Sequence, residues 1–74
     1  MTENVLYRWE SARRYYAARL EKDLLGDWVV QVACGGLFNR LGQTWAIACG
    51  DREAGLRELG EIAKLRAARR YRVV

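Results

Sequence analysis

The stretch Asp23-Leu24-Leu25-Gly26-Asp27-Trp28-Val29-Val30 decides the fold. Asp favours the first position of a tight turn, and Gly supplies the positive φ that closes a hairpin. Residues 23–27 are therefore expected to join two antiparallel strands. On the near side, residues 13–21 alternate. Tyr16, Ala18 and Leu20 share one face, and Arg13, Tyr15, Ala17 and Arg19 the other. On the far side, residues 28–34 are apolar on both faces except at Gln31, the pattern of a central strand. Further upstream, Val5–Glu10 alternates as well, with Val5, Tyr7 and Trp9 opposite Leu6 and Arg8. Downstream, Gly35-Gly36 is expected to form a bulge or tight bend that opens a loop through Asn39 and Gly42. A fourth strand over residues 43–49 points Trp45 and Ile47 to one side, where both are expected beneath a helix.

Gly50-Asp51 switches the apolar period from 2 to 3.6. Asp51 is a helix N-cap, and Glu53 and Glu58 lie toward the positive end. Leu56, Leu59, Ile62, Ala63 and Ala67 then form one stripe, with Arg57, Glu61 and Lys64 opposite. Gly55 and Gly60 border that stripe, and close approach of helix and sheet is the expected reason for both. The helix is expected to end near Arg70, with residues 71–74 returning as a short extended tail. Strands followed by a helix give an α+β layer pair: an antiparallel sheet of about four strands with one C-terminal helix packed on one face. One domain spans residues 1–74. The sheet face left open is expected to be the one bearing arginines.

Composition narrows the function. The 74 residues carry a net charge of +4 and no histidine. A nucleophile activated by histidine is therefore excluded, as is a closed Cys/His zinc site. Cys34 and Cys49 are too few for a disulfide framework and are expected to be reduced. Turn and cap positions account for Asp23, Asp27, Asp51 and Glu53, which leaves no acid–base pair. The expectation is a non-enzyme with no metal and no cofactor. The longest uncharged run, residues 28–39, is too short to span a membrane. Met1-Thr2-Glu3-Asn4 shows no basic secretory run, so a cytoplasmic location is expected.

Charge is distributed unevenly. Beyond Ile62 the chain holds Lys64, Arg66, Arg69, Arg70 and Arg72 and no acid. A basic end of this kind attracts polyanions through counterion release.

The ordered set of elements resembles the WGR domain, a module of poly(ADP-ribose) polymerases and of short bacterial proteins. Arg14-Tyr15-Tyr16 is similar to the family's basic-aromatic strand. Residues 23–30 are similar to its Asp-Leu-x-Gly turn and the strand that follows. Arg40-Leu41-Gly42 resembles the loop after the signature, and the run from Glu53 to Arg69-Arg70-Tyr71 resembles the helix and its basic end. The resemblance covers about residues 5–74. The namesake Trp-Gly-Arg triplet falls on Cys34, Gly35 and Gly36, so only its central glycine is kept. The signature Trp and Arg, which contact the nucleic-acid end in DNA-binding members, have no counterpart here.

The resemblance and the basic tail together imply a nucleic-acid (DNA) binding module. It would use phosphate contacts from Arg13, Arg40, Lys64, Arg66, Arg69 and Arg70, with Tyr15 and Arg19 on an open strand face. No sequence readout and only weak affinity are expected. The competing reading is a protein-interaction or homodimerisation module that has lost the signature. An exposed edge strand, a tyrosine-bearing face and Leu37-Phe38 would carry that role.

Overall fold

The computed structural model describes residues 5–39 and 42–74. Five strands form one antiparallel sheet: β1 (Val5–Glu10), β2 (Arg14–Lys22), β3 (Trp28–Gly36), β4 (Gly42–Gly50) and β5 (Arg72–Val73). Their order across the sheet is β4-β3-β2-β1-β5. The helix α1 (Arg52–Ala68) lies between β4 and β5 in the chain. The α+β architecture is thus as the sequence implies, with four main strands. The tail adds a fifth by pairing Trp9 with Val73 and Glu10 with Arg72.

The β2–β3 hairpin is closed by the chemistry of its turn. The Asp23 carboxylate accepts hydrogen bonds from the Leu25 and Asp27 amides, both at 2.9 Å. Gly26 sits at φ 88°, a conformation that costs glycine little. The pairing then runs in register from Lys22↔Trp28 to Arg14↔Gly36. Gly35-Gly36 therefore makes neither a bulge nor a bend. The one register shift falls at Trp28/Val29 against β4. The glycines stay in the ladder because Arg14 and Tyr15 hold them as cross-strand partners.

Register assigns the faces. Val5, Leu20, Val30 and Ile47 form one cross-strand row, and Tyr7, Ala18, Val32 and Trp45 the next. A third row holds Trp9, Tyr16, Cys34 and Gln43. All three lie beneath or beside the helix. The core is Trp9, Ala18, Leu20, Val30 and Val32 from the sheet and Leu59 and Ile62 from the helix. The opposite face, with Arg8, Ala17, Arg19, Gln31 and Ala33, is uncovered, in line with the alternation of β2.

The helix starts where Asp51 accepts the Ala54 amide at 2.7 Å. Its buried stripe is not quite the one its leucines suggest. Gly55, Leu59 and Ile62 are buried, whereas Leu56 and Ala67 are exposed. The stripe 55-59-62-66 is rotated toward glycine because the helix approaches the sheet closely there. A Cβ on Gly55 would strike the Leu20 side chain, whereas one on Gly60 would meet nothing. The close-approach reason therefore holds for Gly55 and fails for Gly60. The helix ends at Ala68, a little before Arg70. Arg70 takes φ 64°, which turns the chain back toward β1.

These two glycines generate a paired prediction. Gly55→Ala overpacks Leu20 and should lower stability by roughly 1–3 kcal/mol. Gly60→Ala fills open space on a helix and should raise stability by up to about 1 kcal/mol. Urea unfolding of the two variants checks both signs.

Candidate nucleic-acid interface

Three glycines and a short helix leave a hollow at one end of the sheet. Gly35, Gly36 and Gly42 contribute no side chains, and α1 stops before covering the last rows. The result is a cleft of about 710 Å³. Arg14, Tyr16, Cys34 and Gln43 line it from the strands, Arg13 from the β1–β2 turn and Asn39 from the β3–β4 loop. Arg66 from the last helical turn and Tyr71 from the tail complete it. No carboxylate among the described residues lines this cleft.

At two of these positions a side chain would have to displace a neighbour. A Cβ on Gly36 would collide with the Asn39 side chain. One on Gly42 would crowd the Cys34 carbonyl at 3.1 Å and the Tyr15 hydroxyl at 3.4 Å.

Arg66 is held between two aromatic rings. Its guanidinium carbon lies 4.2 Å from the Tyr16 ring centroid and 5.0 Å from that of Tyr71. Each such contact stabilises by about 0.5–2 kcal/mol. Tyr16 is itself braced edge-on by Trp9 at 6.1 Å and Trp45 at 6.2 Å. The Arg66 Nε is buried and has no hydrogen-bond partner among the described residues. An unsatisfied buried donor costs about 1–3 kcal/mol, so the site holds a cation short of an acceptor. The helix's negative end is nearby, but its last carbonyls are occupied by the chain's own amides. Arg69 donates to Leu65 and Arg66, Arg70 to Ala67, and Tyr71 to Arg66.

The residues singled out from the sequence divide into two groups. Arg13, Tyr15, Arg66 and the signature positions Cys34, Gly35 and Gly36 all line the cleft. Arg19, Lys64, Arg69 and Arg70 do not. Arg19 pairs with Glu21 at 3.2 Å on the uncovered face, and Lys64 with Glu61 at 3.7 Å on the helix exterior. Arg69 caps the helix and Arg70 makes the turn after it. Arg40 lies outside the described residues. Strand alternation puts Tyr15 on the face of Arg13 and Arg19, and its ring lies under Arg8 of the neighbouring strand, at 4.9 Å. Trp45 shares a face with Ile47 as expected, yet remains 39% exposed at the sheet edge.

Sequence reading missed Arg14, Gln43 and Tyr71. Arg14 has the parity of Tyr16 along β2, so its face could have been inferred. Tyr71 could not, because its place depends on the left-handed turn at Arg70. Cys34 and Cys49 are both free thiols. No group of three or more candidate metal-ligating side chains comes together among the described residues. No described helix is long and apolar enough to cross a membrane. No family model, curated protein or solved structure matches this chain.

Burial raises the Tyr16 phenol above its ordinary value of 10.0, while Arg66 pulls in the opposite sense. The folded state therefore holds this proton more tightly than the unfolded chain. Stability from Tyr16 is fully present below pH 10.0 and is lost as pH rises through the folded value. Alkaline denaturation followed by far-UV circular dichroism should show this loss, and Tyr16→Phe should flatten it.

Proposed function

We propose that this chain is a WGR-like module with a degenerate signature that binds nucleic acid, DNA foremost, through phosphate contacts and without sequence readout. The observation that carries the reading is a cleft, lined by no described carboxylate, that gathers Arg13, Arg14 and Arg66 with Tyr15, Tyr16 and Tyr71 around Cys34, Gly35 and Gly36. Arginine suits phosphate because its planar fork donates to two oxygens at once. Here the fork of Arg66 is oriented before any ligand arrives, which lowers the entropy cost of binding. Tyr71 and Tyr16 supply aromatic surface beside the charge, the pairing that single strands and frayed ends exploit. Arg69, Arg70 and Arg72 follow directly in the chain and extend the positive field beyond the cleft. A helix docked on a sheet is not free to enter a major groove, which is the reason to expect no base readout.

The test is fluorescence anisotropy with labelled duplex, hairpin and single-stranded oligonucleotides at several salt concentrations. Binding in the ~10⁻⁴–10⁻⁶ M range is expected near physiological salt, weakening steeply as salt rises. Arg13→Ala/Arg14→Ala should reduce the salt slope by about 2, one unit for each phosphate no longer neutralised. Arg19→Ala should leave binding unchanged. Equal weakening by Arg19→Ala and the double variant, or no binding at low salt, would overturn the reading.

A further inference from the structure

The two edges of the sheet are built differently. The β1 edge carries Arg8 and Glu10, ion-paired at 3.1 Å, and is partly covered by β5. The Val74 amide also donates to the Arg8 carbonyl at 2.9 Å. Charge and a covering strand are the usual devices that stop an edge from pairing with another chain. The β4 edge has neither. Over its nine residues, Gly42–Gly50, it holds no charged residue and no proline. It lies at the end of the sheet order, so its outer amides and carbonyls face away from β3. The register irregularity opposite Trp28/Val29 places one extra residue, Cys49, on β4, a bulge that blunts that end of the edge and leaves Gly42–Ala48 regular.

We propose that β4 pairs with β4 of a second copy of this chain, antiparallel about a two-fold axis at Ala46. A two-fold antiparallel pair is self-complementary, because each strand offers the donors and acceptors that the other needs. The side-chain order fits this axis. Alignment about this axis, within the regular part of the strand, places Trp45 opposite Ile47 of the second copy and Thr44 opposite its Ala48. The Trp45–Ile47 contact covers the indole that a single copy leaves exposed. Aromatic–aliphatic cross-strand pairs of this kind stabilise sheets, and no like charges meet anywhere along the strand. The small residues Thr44, Ala46 and Ala48 occupy the other face, which is uncovered in each copy. This inference goes beyond nucleic-acid binding and does not require it: β4 lends Gly42 and Gln43 to the cleft, but the axis residue Ala46 lies outside it.

Sedimentation equilibrium of the intact chain tests it. The wild type should show the mass of two chains. Ala46→Lys should show the mass of one, with an unchanged circular dichroism spectrum, because Ala46 is exposed in the single copy. An independent check uses Ala46→Cys with both native cysteines replaced by serine. Oxidation should join two copies through position 46, since residues across a two-fold axis lie within disulfide reach. Arg19→Cys in the same background should stay unjoined. A wild type with the mass of one chain at millimolar concentration would overturn the proposal. So would an Ala46→Lys variant that stays paired, or position-46 thiols that join no better than those at 19.

Discussion

The contact between Leu20 and the bare backbone of Gly55 sets the position of everything above the sheet. Leu20 is fully buried, and it fills the space that a side chain at position 55 would need. Docking at that point fixes both the height and the direction of α1. Gly55 and Arg66 are eleven residues apart on one helical stripe, about 16 Å along the axis at 1.5 Å per residue. Leu20 and Tyr16 are four residues apart on β2, about 13 Å along a strand. The helix therefore runs back along β2 and sets Arg66 down on Tyr16. A single missing methyl group at the start of the helix decides where a guanidinium lands at its end.

That arrangement explains how a thin core tolerates a charged residue at its border. Arg66 has an unsatisfied Nε, yet its guanidinium lies between Tyr16 and Tyr71, and Trp9 and Trp45 support Tyr16 from either side. In the aromatic chain from Tyr7 through Trp45, the middle two members thus join core to cleft: Trp9 belongs to the core and Tyr16 lines the cleft. The bare positions Gly35, Gly36 and Gly42 keep the floor of the cleft open. The cation at the border of the cleft comes from the helix, as Arg66, rather than from the strands that form its floor.

Much of the fold is legible in the sequence because its signals are local. The turn at residues 23–27, the parity of β2 and the cap at Asp51 each depend on neighbours in the chain. The errors share a different cause. Gly35-Gly36 reads as a break because glycine weakens strands, but cross-strand pairing with Arg14 and Tyr15 overrides that preference. Gly60 reads like Gly55 because both border the apolar stripe, and only the docked geometry separates them. The cleft is half legible. Arg13, Tyr15 and Arg66 stand out as basic or aromatic residues, but charge alone cannot distinguish them from Arg19 and Lys64, which glutamates neutralise nearby. Tyr71 joins the site through a backbone turn at Arg70 that its sequence does not announce.

The short strand β5 has a consequence out of proportion to its two residues. Runaway fibre growth by edge-to-edge addition needs two open edges on every unit, so that each newcomer presents a fresh template. Here β5 occupies the Trp9–Glu10 end of the β1 side, and the Val74 amide takes the Arg8 carbonyl. With the Arg8–Glu10 ion pair, this makes β1 a poorer template than the uncharged β4 edge. A copy that joined at β4 would turn this blunted side outward, which disfavours further addition.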